Sequence, residues 1–144
     1  MSQTSGNWSI RISIPSAQAA GKQVVDQVRE RLEQAEWSPH DIFSVHLAVE
    51  EALVNAIKHG NRLDASKQVH VACRGTAEQF WIEIIDEGSG FDPDQLPDPT
   101  DEAHLDCPSG RGVLLMRNFM SRVEFSQQGK RVVMEKQRGA SSKT

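Results

Sequence analysis

Three short runs of this chain hold residues whose types and spacing could do chemistry. Glu51 and Asn55 stand four positions apart within a helical pattern, so they lie one turn from each other on the same side of the helix. A carboxamide oxygen suits Mg²⁺, a hard cation that takes oxygen ligands, and a carboxylate one turn away can accept or orient the proton of an attacking hydroxyl. Taken alone, the same pair reads as two polar residues on a solvated helix face. Asp86 closes a strand end after the apolar Ile84 and Ile85. A carboxylate there can accept a hydrogen bond from an amino group, such as adenine N6, in a partly dry pocket. Gly88 and Gly90 follow, and their lack of a Cβ lets the backbone turn sharply or lie against a ligand. Asp-Glu-Gly-Ser-Gly is also ordinary turn composition. The third run, Ser109-Gly110-Arg111-Gly112, leads into Val113-Leu114-Leu115-Met116. Glycines at a helix start expose amides, the helix dipole favours an anion there, and Arg111 adds a cation that can pair with phosphate. The 20 residues before it, 91–110, contain no Lys or Arg, which makes Arg111 the nearest countercharge for a polyphosphate.

The elements that must position these runs are legible from periodicity. Residues 8–14 alternate apolar and polar, which predicts a strand ended by Pro15. Helical spacing of Ala19, Ala20, Val24, Val28, Leu32 and Ala35 predicts a helix over 16–36. Ser38 as N-cap, Pro39 at the first helical position and Asp41 completing an S-x-x-D pattern start a second helix. That helix is expected to run to about His59, with Gly60-Asn61 as the stop. Its apolar stripe is Ile42, Val45, Val49, Leu53 and Ala56, and Glu51 and Asn55 point away from it. Strands are expected at 67–74 and 80–86 around a turn at 75–78, with Phe80, Ile82 and Ile84 on one face. Segment 91–110 holds four of the six prolines and six acids, and reads as a functional or disordered loop. A helix over 112–120, strands at 122–126 and 131–136, and a polar tail complete the chain. This order predicts one domain over 1–144, with its core at about 8–136. The class is α+β, a two-layer sandwich in which helices cover one face of a mainly antiparallel mixed sheet.

Composition narrows the function classes. A net charge of −4 argues against a direct nucleic-acid binder. Two cysteines, Cys73 and Cys107, lack zinc or disulfide spacing, and Cys73 is expected to be half-buried in a strand. Residues 1–7 are small and polar, and no run approaches the ~20 apolar residues that span a bilayer, so a cytoplasmic protein without membrane contact is expected.

In order, the three runs resemble the N box, first glycine box and second glycine box of the ATP-binding superfamily that includes gyrase, the heat-shock chaperone ATPase, histidine kinases and MutL. The resemblance extends over about residues 8–136 and implies the Bergerat fold, with ATP held between the helices and a mobile lid at 91–110. A closer resemblance is to the small, single-domain anti-sigma factor serine/threonine kinases. It is carried by Ala48-Val49-Glu50-Glu51-Ala52-Leu53-Val54-Asn55-Ala56-Ile57-Lys58-His59-Gly60 and by Gly112-Val113-Leu114-Leu115-Met116-Arg117-Asn118-Phe119-Met120. The family pattern implies that Glu51 is the catalytic base, Asn55 the Mg²⁺ ligand and Asp86 the adenine-selecting group. It places Gly88, Gly90, Ser109, Gly110, Arg111, Gly112 and Val113 with Asn55 and Asp86 around ATP. Glu50, about 100° away on the helix, is left as a surface or salt-bridge residue. Gly129-Lys130 stands where many members have Gly-Thr.

The partners implied are a sigma factor or related regulator held inactive, an anti-sigma antagonist phosphorylated on serine or threonine, and a second copy in a homodimer. Two other readings are a nucleotide-gated binding module without kinase activity and a detached histidine-kinase ATPase domain. The latter lacks a phosphoacceptor helix pair before residue 8 and has Glu51 where those kinases commonly carry Asn.

Overall fold

Period-two patterning builds a five-stranded sheet, and 3.6-residue patterning builds three helices on one of its faces. The computed structural model describes residues 7–89 and 110–139, with the helical backbone alone at 110 and 111. The elements are β1 (Trp8–Pro15), α1 (Gln18–Gln34), α2 (Pro39–Val54), β2 (Gln68–Gly75), β3 (Gln79–Ile85), α3 (Gly110–Phe119), β4 (Arg122–Ser126) and β5 (Arg131–Gln137). The strand order is β1-β2-β3-β5-β4. Every pairing among them is antiparallel, so the sheet is not mixed as expected. The helix pair between β1 and β2 returns the chain so that β2 runs against β1.

Register lines up apolar residues in rows across the inner face. One row is Ile10, Cys73, Ile82, Met134 and Val123, and the next is Ile12, Val71, Ile84, Val132 and Phe125. Cys73 is fully buried rather than half-buried, and burial pushes its thiol up to about 12, which leaves it a packing residue. Against these rows lies α2, which is packed between α1 and α3. Ile42, Val45, Ala48, Val49, Ala52 and Leu53 are all buried on it. Its apolar surface is therefore wider than one stripe.

Helix ends follow local chemistry. α1 begins after Ser16, because that hydroxyl donates to Lys67 O at 2.7 Å instead of capping the helix. It stops at Gln34, where Glu36 takes φ 61° and Trp37 N–H returns to Leu32 O at 3.0 Å, the six-to-one bond of a Schellman end. Ser38 caps α2 by accepting from Asp41 N–H at 3.1 Å, as the sequence predicts. The far end differs from expectation. From Asn55 to Gly60 the helix widens into a π-helical turn, closed by Asn61 N–H on Ala56 O at 2.8 Å.

The chain after the expected end of the core is also tied in. Arg138 donates to Glu36 O at 2.6 Å and Ala77 O at 2.9 Å, and Gly139 N–H reaches Asp41 Oδ2 at 2.8 Å. Lys136, 1% exposed, donates to Phe119 O at 3.1 Å, and burial lowers its pKa while Asp41 raises it. No helix among the described residues is long and apolar enough to cross a membrane.

Candidate functional site

The last turn of α2 delivers Glu51, and the first residue of the π-helical turn is Asn55. Both face the N-terminus of α3. A Cβ built on Gly112 would lie 2.8 Å from Glu51 Oε1, 3.8 Å from Asn55 Nδ2 and 3.9 Å from Asn55 Oδ1. Carboxylate, carboxamide and helix N-terminus therefore converge at a point where a side chain on the helix would displace the Glu51 carboxylate. The helix begins at Gly110, two residues earlier than periodicity predicts, so Gly110, Arg111 and Gly112 form its first turn and not a lead-in to it. Val113 is buried in the core, so only its backbone is available to a ligand.

Asn55 is 8% exposed and not on a solvated face. Its Nδ2 is buried without a hydrogen-bond partner among the described residues. An unsatisfied amide N–H donor beside a cleft is suited to an acceptor such as a phosphate oxygen, while Oδ1 of the same carboxamide is the atom a hard cation would take. No cluster of three or more His, Cys, Asp or Glu among the described residues could hold a metal by itself. Nucleotide-borne Mg²⁺ needs only one or two protein ligands and completes its shell with phosphates and water.

Asp86 follows β3 and is 6% exposed. Its N–H donates to Lys130 O at 2.9 Å, and its Oδ1 accepts from Gly88 N–H at 2.9 Å. Burial pushes the carboxyl up to about 6 against the lowering effects of the Gly88 N–H, Lys130 and Lys67. It shares a small cleft with Asn55, walled by Ala52, Ala56, Ile84, Met116, Phe125, Gly129 and Val132. An apolar wall with one carboxylate and one carboxamide suits a flat heterocycle bearing an amino group.

Gly60 and Gly88 make this arrangement possible. A Cβ on Gly60 would come within 2.5 Å of the Asp86 carboxyl, and one on Gly88 within 1.9 Å of Gly60 O. Sequence reasoning read Gly60 only as a helix stop. The His-Gly continuation of the helix was the signal that could have marked it. Gly129-Lys130 enters through backbone: Gly129 lines the cleft, and Lys130 supplies a carbonyl to Asp86. Gly90 and the expected lid at 91–110, Cys107 and Ser109 included, lie outside the described residues apart from the backbone of Gly110, as does the side chain of Arg111. Two wider grooves run along α1 and α2, one past Lys22 and Glu50, the other past Trp37 and Phe43. Neither contains Glu51, Asn55 or Asp86, so chemistry and not size identifies the site.

A family model described as "Histidine kinase-like ATPase domain" matches residues 14–136. The chain is 31% identical to the serine/threonine-protein kinase BtrW of Bordetella bronchiseptica over 93 residues, which is 63% of this chain and 66% of that protein. It is 32% identical to an anti-sigma F factor of Oceanobacillus iheyensis over 67% of this chain and 70% of the relative. A second anti-sigma F factor, from Clostridium beijerinckii, is 33% identical over 67% of this chain and 71% of its own length. The crystal structure of the RsbU and RsbW domains of a Mycobacterium tuberculosis protein superimposes with a TM-score of 0.63 at 16% identity, covering 95% of this chain and 34% of that one. The chain thus spans about two thirds of BtrW and about one third of the solved protein.

Proposed function

The chain belongs to the histidine kinase-like ATPase domain family, within its anti-sigma factor serine/threonine kinases, and from that premise we propose that it is an ATP-dependent protein kinase of a partner-switching system. In this reading it sequesters a sigma factor or similar regulator, phosphorylates an anti-sigma antagonist on serine or threonine, and works as a homodimer. The observation that carries the reading is the convergence of Glu51 and Asn55 on the first turn of α3, with Asp86 at the far side of the Asn55 cleft.

Each residue has a distinct task. Asp86 accepts the adenine amino group, and the α3 N-terminus receives the phosphates. Asn55 would hold Mg²⁺ through Oδ1, and that ion would neutralise phosphate charge when bound. Glu51 takes the proton of the attacking hydroxyl as the γ-phosphoryl passes to that oxygen and ADP leaves. Phosphoryl transfer needs mainly positioning and charge neutralisation, so few protein groups suffice. A binding module would need Asn55 and Asp86 but no base, and the placement of Glu51 beside Gly112 favours the kinase.

Titrating ATP in Mg²⁺ and then in EDTA tests the site. Asn55→Ala is expected to weaken binding in Mg²⁺ and to change little in EDTA, because an oxygen ligand is lost without a change of charge. An equal loss in both conditions would make Asn55 a packing residue and remove the metal from this account.

A further inference from the structure

Asn61 is 1% exposed, and the motifs around the cleft assign it nothing. Its Oδ1 accepts the Glu87 backbone N–H at 2.8 Å. Its Nδ2 donates to Ser16 Oγ and to Gln68 O, both at 2.9 Å. One carboxamide thereby joins the approach to α1, the start of β2 and the segment after β3. Because both amide hydrogens face acceptors, the oxygen is forced toward Glu87: the flipped amide would meet two acceptors with its oxygen and a donor with its NH₂.

The bond to Glu87 matters because that N–H belongs to the peptide joining Asp86 to Glu87. Asp86's own N–H is held by Lys130 O at 2.9 Å. The peptides on both sides of the Asp86 Cα are therefore pinned, one by Asn61 and the other by the β4–β5 turn. Gly88 N–H then occupies Oδ1, which leaves Oδ2 for a ligand. The Glu87 side chain is anchored separately, through Gln68 N–H at 3.0 Å and His70 Nε2 at 2.8 Å, but that contact is exposed and does not fix the peptide plane.

We infer that Asn61 is a positioning residue for base recognition: by fixing the Asp86–Glu87 peptide it aims the Asp86 carboxylate at the amino group of an adenine nucleotide, and so sets the preference for ATP over GTP. It acts through Asp86 and touches no nucleotide. This inference rests on the nucleotide reading above.

Competition titrations of ATP and GTP on the full chain test it, using the parent, Asn61→Ala and Ser16→Ala, with a melting curve for each. Asn61→Ala is expected to lower the ATP:GTP preference about tenfold, the scale of one buried hydrogen bond, with GTP affinity nearly unchanged. Ser16→Ala removes a partner of Asn61 but not its bond to Glu87, so it is expected to lower the melting temperature and keep the parent's preference. An Asn61→Ala protein that keeps the parent's preference, or that loses ATP and GTP affinity equally, overturns the inference while leaving the nucleotide site standing. If Asn61→Ala does not fold, Asn61→Asp decides, because it keeps the acceptor for Glu87 N–H and loses the amide donors. The inference then requires the preference to stay close to the parent's, and its collapse is the contradicting result. A parent with no preference for ATP is a separate outcome, which removes the nucleotide reading and this inference together.

Discussion

In the mechanism proposed here Glu51 carries the chemical step, and its neighbour Asn55 does not share it. Glu51→Gln keeps the shape beside Gly112 and removes the basicity, so phosphoryl transfer is expected to fall by about 10²-fold or more while Mg-ATP affinity holds. Single-turnover rates and an ATP titration on the same preparation separate the two, and undiminished transfer would leave Glu51 a positioning role only. Asp86 makes a pH prediction whose sign follows from its raised pKa of about 6 against an ordinary 3.8. Burial penalises the ionised form, so Asp86 favours the fold most below pH about 4, and that contribution is lost as pH rises through about 6. Adenine's amino group wants the ionised carboxylate, so ATP binding should strengthen as pH rises through the same range. Asp86→Asn should abolish that step, and comparing the two proteins cancels the titration of the nucleotide's own phosphates. A parent and variant with the same pH profile would take Asp86 out of base recognition. The residue types at 51, 55 and 86 were legible in the sequence; the burial of Asn55 was not. Asn55 is hidden because α3 folds across α2, which helical spacing along α2 alone does not register.

At the scale of elements, the sheet was the most legible part, since strict alternation along β1 and the period-two placement of Phe80, Ile82 and Ile84 along β3 set which face each side chain takes. The end of α2 was the least legible. A π-helical turn adds a residue to a helical turn without any change in composition, yet it is this widening that brings Gly60 over Asp86 and Gly88. The contact makes a sharp prediction. A Cβ at Gly88 would stand 1.9 Å from the Gly60 carbonyl oxygen, which is backbone and has no rotamer to yield. Gly88→Ala should therefore cost about 1–3 kcal/mol of stability in chemical denaturation, as overpacking does, and weaken ATP binding further by shifting Asp86. A fully stable Gly88→Ala protein with normal ATP binding would mean that the Gly60–Gly88 contact is looser than described. The early start of α3 at Gly110 has a similar lesson: glycines lower helix propensity, so periodicity began the helix after them, whereas packing on α2 carries it through them.

Across the whole molecule, order made the site readable: three weak motifs in a fixed sequence gain meaning because the fold brings them to one cleft. The connections that hold the cleft's shape were not readable. Asn61 bonds to residues 45, 7 and 26 positions away, a spacing with no periodicity to betray it. The same holds for the chain after β5, whose polar composition suggests a free tail while Arg138 and Gly139 tie it to the α1–α2 connection, α2 and the β2–β3 turn. The proposed site moves phosphate to a protein hydroxyl. The most direct measurement is incubation of the parent protein with γ-labelled ATP, Mg²⁺ and a candidate anti-sigma antagonist protein, followed by label on each protein and phosphoamino-acid analysis. Label is expected on a serine or threonine of the antagonist, and is lost with Glu51→Gln. ATP bound tightly with no label passed to the antagonist would contradict it and identify a nucleotide-gated binder instead.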